Sequence, residues 1–472
     1  MDRRLWGILL FSAVGIGVGI GKPFAPELSP EGHAVLMSVL VAVSVWIFGT
    51  RWVPLSIGSM VMMMLLTASG VKLSIVFNGY TTRAVWILIP ALFFGFALNV
   101  TGLGKRLAYW VIGLFRPSYL SLTVSWVLIG LLLSVLTPSI SVRIAIVIPI
   151  AVASVEICRL KYGSNGAALI LLSAWSMVLI PGSGWLTGSL WGPATIGFFG
   201  AVPELQGVIE FDSWLKAMLV PSAVLSLIFI LALYRTMKPA EELEIDREAF
   251  RSEFKALGPM SFKEKATFGI LLATFLLLVT GRMHGIPDVA ICLGAFALLA
   301  VCGVIRTQDI GTAISWDFVL FIGTIMGLGM ILQETGVATF LSRSFSPIVR
   351  ALAGNPWLLT YALLIFCFAV RFVDVAQLYA TIPFLVPFLP MLAADFGLHP
   401  LAVFFLFIMA GNCFFMSYHQ PFVIIGETIA GKASWMPAQL HRAGIIYLFA
   451  CLVTLAVSLL YWRAVGLIRW FA

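Results

Sequence analysis

Eleven stretches of this chain are long and apolar enough to cross a lipid bilayer, and that property restricts the folds open to it. They run near 5–21, 33–50, 54–70, 84–102, 166–190, 214–235, 265–281, 288–305, 317–334, 400–426 and 441–463. A hydrocarbon core takes about 20 apolar residues of helix. Only 11% of the 472 residues are charged, against about 25% in soluble domains, too few to solvate a surface of this size. Inside lipid the chain must satisfy its own backbone polar groups, which leaves helices or a closed barrel. The alternating ten-residue segments of a barrel are absent. The fold class is therefore an all-α polytopic membrane protein of about 11 transmembrane helices. Two further apolar regions, 107–158 and 344–391, are too long for one crossing and are broken by Pro and polar residues. Each suits a re-entrant hairpin.

Charge sets the expected orientation. Lys105, Arg106, Arg159, Lys161 and the polar stretch 236–264 fall on one face if the N-terminus is inside, as the positive-inside rule requires. Arg343 and Arg350 run against that pattern. The net charge of +8 is then a topology signal, and nucleic acid is not an expected partner. The six Cys form no CxxC pair and read as small packing residues. Arg3 and Arg4 before an apolar run without a clear cleavage site read as the start of a first membrane helix. The expected location is a bacterial cytoplasmic (inner) membrane.

An internal repeat organises the rest. Val53-Pro54 recurs as Ile286-Pro287 and Gly70-Val71 as Gly303-Val304, each 233 residues later; Thr101-Gly102-Leu103 recurs as Thr335-Gly336-Val337, 234 later. Gly95 matches Gly329 and Pro149 matches Pro383, also 234 apart. Five crossings and one hairpin per copy would invert the second copy in the membrane, an architecture of secondary transporters. The expected division is an N-terminal helix in 1–45, a first repeat over 46–235 with an inner hairpin, a linker over 236–264, and a second repeat over 265–472 with an outer hairpin.

The hairpins hold polar groups where lipid would penalise them. Thr137 to Pro149 reads TPSISVRIAIVIP and Arg371 to Pro383 reads RFVDVAQLYATIP. A charge at the bilayer centre costs roughly 3 kcal/mol or more, which singles out Arg143, Arg371 and Asp374. Either Arg could grip a carboxylate or sulfate with its planar fork. The alternatives are an Arg143–Asp374 structural pair and an Arg371 that snorkels to the interface. Two Gly- and Pro-rich breaks follow the hairpins: Ile180 to Thr195, with Ser183, Gly184, Thr187, Gly188 and Ser189, and Met416 to Glu427, with His419, Gln420 and Pro421. Half-helix N-termini there would suit anions and freed carbonyls Na⁺. His419 reads as a pH switch or a hydrogen-bonded lining residue. Asp288 and Asp317 read as caps of their own helices. The many Phe, Met and Trp read as packing or lipid contacts.

These segments resemble the divalent anion/sodium symporter family, within the wider superfamily that includes citrate and arsenite carriers. There a Ser-Asn-Thr motif closes each hairpin; here Ser139-Ile140-Ser141 and Val373-Asp374-Val375-Ala376 stand in its place. Gly188-Ser189-Leu190-Trp191 and His419-Gln420-Pro421 resemble the family's two breaks, and Trp52-Val53-Pro54-Leu55 and Gly102-Leu103-Gly104-Lys105-Arg106 resemble its framing turns. The resemblance implies substrate binding by Ser139, Ser141, Arg143, Val373, Asp374, Val375, Gln377, Thr187, Ser189, His419, Gln420 and Pro421. It implies ion coupling through Ser139, Gly184, Gly188, Asp374 and Ala376. Both motif asparagines are replaced, by Ile140 and Asp374, and Arg143 and Gln377 stand where the family has Thr.

The expected function is an elevator-type secondary transporter of a small anion: a di- or tricarboxylate, sulfate or a related oxyanion. Na⁺ or H⁺ would couple it, with no cofactor besides a possible coupling Na⁺, and a homodimer would be its working form. A channel or a non-transporting membrane protein on the same scaffold is the alternative. An enzyme is not expected, because the sequence holds no HExxH, GxSxG or P-loop.

Overall fold

Apolar runs become helices here because lipid offers no other partner for the backbone. The computed structural model describes residues 3–49, 53–115, 118–239, 243, 247–352, 355–374 and 377–469. Each expected span coincides with a helix or with two helices around a break. Among the described residues, eight helices are long and apolar enough to cross a membrane; shorter apolar helices accompany them. Region 107–158 is the end of helix Leu103–Leu114 followed by two arms, Tyr119–Leu136 and Ile140–Ile157. At 18 residues each, these arms are about 27 Å long. The second hairpin is less regular: one arm is Pro356–Val370, and the return is a chain of short helices from Ile382 to Phe396.

The repeat appears in the helix bounds. Leu55–Ala68 and Asp288–Val301 both have 14 residues, and Arg83–Thr101 and Trp316–Glu334 both have 19. The half-helices after the breaks, Trp191–Gly200 and Pro421–Ala430, both have 10. Packing sorts the chain into two groups of helices. Pro30–Phe48, Leu55–Ala68, Arg83–Thr101, Phe262–Val279, Asp288–Val301 and Trp316–Glu334 pack on one another. The hairpins gather around Asn165–Leu179, Phe211–Met237, Pro400–Gly411 and Pro437–Ala464. Asn165–Leu179 is buried from Gly166 onward and Pro400–Gly411 throughout, so the breaks that follow them open inside protein. At Gly130 an added Cβ would run into the carbonyl of Met177, and only glycine lets the hairpin arm lie this close to Asn165–Leu179.

The halves are tied at two equivalent corners. The Asp317 carboxylate accepts the backbone N–H groups of Leu55 and Ser56, at 3.3 and 2.8 Å. It therefore caps a helix of the other half, while Ser315 caps its own; own-helix capping by Asp317 does not occur. At the matching corner Arg83 lies 3.6 Å from Asp288.

Tryptophan does more than pack. Trp175, Trp191, Trp214 and Trp462 are fully buried; Trp175 donates to the Phe422 carbonyl and Trp191 to Asn412 Oδ1, while Trp214 and Trp462 donate to carbonyls at helix interruptions. Pro221 lacks the N–H that would bond the Ala217 carbonyl; Trp462 donates to that oxygen at 2.8 Å. Pro138 likewise frees the Ser134 carbonyl, which takes the Trp185 indole at 3.1 Å. Trp214 donates to the Ser183 carbonyl at 3.1 Å. Outside the apolar core, Arg106 is held 2.7 Å from Glu264 and also donates to the Gly258 and Leu257 carbonyls, tying the helix before the first hairpin to the end of the linker.

Two stability effects follow. Trp462→Phe orphans the Ala217 carbonyl and should cost about 1–3 kcal/mol, read as a lowered Tm of the purified protein; an unchanged Tm would refute the role. Arg106→Ala leaves the Glu264 carboxylate with the Ser261 N–H alone and should cost about 1.5–3 kcal/mol, with Glu264→Gln in the same background recovering part of it.

Candidate functional site

Each break brings its half-helix ends against a hairpin tip, and an arginine fills each junction. In the first half the tip is Thr137-Pro138-Ser139, held by the Ser139 N–H on Thr137 Oγ1 at 3.1 Å. Arg143 lies one turn into the second arm and is fully buried. Its Nη2 donates to the Pro138 carbonyl at 3.5 Å, while Nε and Nη1 have no partner. The first break folds on itself: a Cβ on Gly182 would meet the Gly188 carbonyl and come 2.9 Å from Arg143 Nη1. Thr187 Oγ1 and Ser189 Oγ are buried and unpartnered beside it in the chain. Ser183 is occupied, bonding the Ile180 carbonyl and Ser222.

In the second half Arg371 ends the first arm and is fully buried. Its Nη1 donates to the Asp374 carbonyl across the tip and its Nη2 to the His419 carbonyl in the break. Asp374 turns its carboxylate back on the tip, accepting from Thr381 N and Oγ1 at 3.0 and 2.7 Å. Gln377 donates to Gln420 Oε1. Gln377 and Leu378 hold φ of 57° and 66°, a left-handed turn that residues with side chains rarely adopt. His419 Nδ1 accepts from the Met416 N–H, so Nε2 carries the ring proton. That Nε2, Arg371 Nε and Gln420 Nε2 are all buried without partners.

The two junctions meet through Trp191, at the start of the first half-helix. Its indole donates to Asn412 Oδ1 at 2.9 Å, and its ring stacks on Tyr379 of the second tip at 4.8 Å. The half-helix beginning at Pro421 packs on the second arm of the first hairpin.

The candidate residues divide accordingly. Ser139, Arg143, Gly188 and Ser189 gather at the first junction, and Asp374, Gln377, His419 and Gln420 at the second. Arg143 makes no ion pair with Asp374, so the expected structural pair is not formed. Arg371 does not snorkel. Ser141 and Val373 are exposed rather than buried with these groups. A Cβ on Gly184 would make only ordinary contacts, unlike one on Gly182 or Gly188. Val375 and Ala376 lie outside the described residues. The sequence assigned no site role to Gly182, Trp191, Tyr379, Thr381 and Asn412. Of these only the density of glycine in the first break and a lone Asn after an apolar helix gave any signal.

A cavity of about 510 Å³ runs between the two helix groups to Thr187. Arg83, Glu210, Asp212, Arg282 and Asp288 line it. Arg282 bonds Glu210 at 2.5 Å and Asp212 at 2.8 Å. The Arg282 hydrogen bond, and then its charge, hold the Glu210 carboxyl below its ordinary pKa.

The profile of the sodium:sulfate symporter transmembrane region matches residues 3–468. The inner membrane protein YbhI of Escherichia coli is 25% identical over 72% of this chain and 67% of its own. The chloroplastic dicarboxylate transporter 1 of Spinacia oleracea is 26% identical over 71% and 61%, and the putative malate transporter YflS of Bacillus subtilis 25% over 76% and 75%. The YdaH transporter of Alcanivorax borkumensis shares the fold at a TM-score of 0.55 and 16% identity, over 84% of this chain and 89% of its own. From residue 3 to 468 the chain thus belongs to the sodium:sulfate symporter family, whose members are membrane transporters and not enzymes.

Proposed function

We propose that this chain is a secondary active transporter of a dicarboxylate or sulfate-class anion, held between the two hairpin tips. One observation carries the reading. Arg143 Nε and Nη1, Thr187 Oγ1, Ser189 Oγ, Arg371 Nε, His419 Nε2 and Gln420 Nε2 are buried polar atoms without partners at the two junctions. Unmade bonds of this kind are costly, and their concentration argues for a ligand rich in acceptor oxygens. Two guanidinium forks suit a carboxylate or sulfate. The spinach relative's name and that of the Bacillus relative point to dicarboxylates, and the family's name to sulfate.

Alternating access would follow the division into two helix groups. The hairpins, breaks and central helices would move as an elevator against the group that includes Arg83–Thr101 and Trp316–Glu334, which would also form the interface of a homodimer. The two groups would correspond to parts of both inverted repeats. Residues 236–264 would face the cytoplasm of a bacterial cell, with the N-terminus on the same side. The driving gradient would be H⁺ or Na⁺. The Arg282 link to Glu210 and Asp212 spans the moving and fixed groups at the cavity mouth, so it would hold one end of the stroke.

Purified protein should melt at higher temperature with succinate, malate or sulfate than with a neutral analogue. An anion at 100 times its Kd adds about 2.7 kcal/mol of stability. Arg143→Ala should abolish the shift, and unaltered anion affinity in that variant would refute the site. The mouth link has its own signature. Glu210 has a depressed pKa, so its bond to Arg282 is complete above the ordinary carboxylate range and is lost as pH falls through the lowered value. Acidification and Arg282→Ala should therefore speed exchange between conformers alike, as read by a fluorescent pair across the cavity, and should not add to each other.

A further inference from the structure

The family's name implies a sodium ion, and the donor sets at the hairpin tips do not fit one. In a broken membrane helix the freed carbonyl oxygens are the natural ligands of Na⁺. Here those oxygens already face a cation that belongs to the chain. At the second junction the Arg371 guanidinium takes the Asp374 carbonyl with one nitrogen and the His419 carbonyl with another. At the first, Arg143 Nη2 takes the Pro138 carbonyl, and Nη1 lies beside Gly182, where a single added methyl would come within 2.9 Å. Both side chains are fully buried. A metal ion placed beside either would meet a like charge with little water to screen it. Ile140, at the middle of the first tip motif, offers no side-chain oxygen.

The repeat adds an independent argument. A shift of 234 carries Arg143 onto Gln377 and Arg371 back onto Thr137. The two arginines are therefore not copies of one ancestral position: one stands on the second arm of its hairpin and the other on the first. Yet each reaches the same place, a tip carbonyl facing a break. What recurs is a positive charge at the junction, delivered from two different points on the chain.

We propose that Arg371 and Arg143 are tethered cations that take the place of sodium at both junctions, so that this chain binds and carries its anion without Na⁺. Guanidinium nitrogens turned to the carbonyls do the work of an ion, and those left over, Arg371 Nε and Arg143 Nε and Nη1, are free to meet the anion. The last clause rests on the transporter reading; the cation assignment does not.

The first experiment needs no substrate. The full-length protein is melted in equimolar NaCl and choline chloride. The wild type should melt at the same temperature in both, to roughly 1 °C. Arg371→Ala should melt lower in choline and regain roughly 2 °C or more in NaCl or methylguanidinium chloride, which refill the vacancy. Arg371→Lys, which keeps the charge, should remain indifferent to Na⁺. A wild type that Na⁺ stabilises overturns the proposal, as does an Arg371→Ala protein that neither cation restores. If that variant does not fold, the wild type and Arg371→Lys still decide. Uptake of labelled sulfate and succinate into proteoliposomes separates the two readings. Uptake that requires Na⁺ overturns the tethered cations, and equal uptake in Na⁺ and choline supports them. No uptake in any salt overturns the transporter reading, while the melting result still decides this one.

Discussion

A helix interrupted in lipid leaves carbonyl oxygens and N–H groups with no water to turn to, and the rest of this structure answers that demand. Some of the answers are structural. Trp462 supplies the donor that Pro221 lacks, and Trp185 the one that Pro138 lacks. Tyr447 does the same for the Met409 carbonyl near the end of a fully buried helix. At the two hairpin junctions the donor is instead a guanidinium, which brings charge as well as hydrogen bonds. The indoles close their carbonyls off, whereas the arginines keep nitrogens in reserve.

The junctions are held by residues far apart in sequence. Trp191 reaches Asn412 and Tyr379, and the second half-helix leans on the first hairpin. The outer helices are exchanged in the same way, with Asp317 on the helix at Leu55 and Arg83 beside Asp288. Each half thus completes the other at the site and at the periphery, and neither break is closed by its own half alone.

How much of this was legible in the sequence depends on range. Helix positions were, because an apolar run of a given length has one outcome in lipid. The repeat was, because the landmarks at Gly95, Gly102 and Pro149 hold their spacing to Gly329, Gly336 and Pro383. The breaks were, because glycine and proline act locally. Contacts across more than 200 residues were not. Asp317 looked like a local cap and is a remote one. Arg143 and Asp374 looked like a pair because both are charged in apolar surroundings. Instead, Asp374 turned back on its own tip and Arg143 met a carbonyl. Arg371 looked able to snorkel because it ends an arm, yet the break at His419 encloses it. Spacing names the element a residue occupies, and only the packed chain names its neighbour.

The close seat of Gly130 against the Met177 carbonyl has a mechanical meaning. A hairpin seated backbone to backbone on the helix beside it presents no side chain at that crossing, so twisting or sliding one element inward would press main chain on main chain. The hairpin and the helix at Asn165–Leu179 therefore share one closely packed seam, and a displacement of either is felt first at the other.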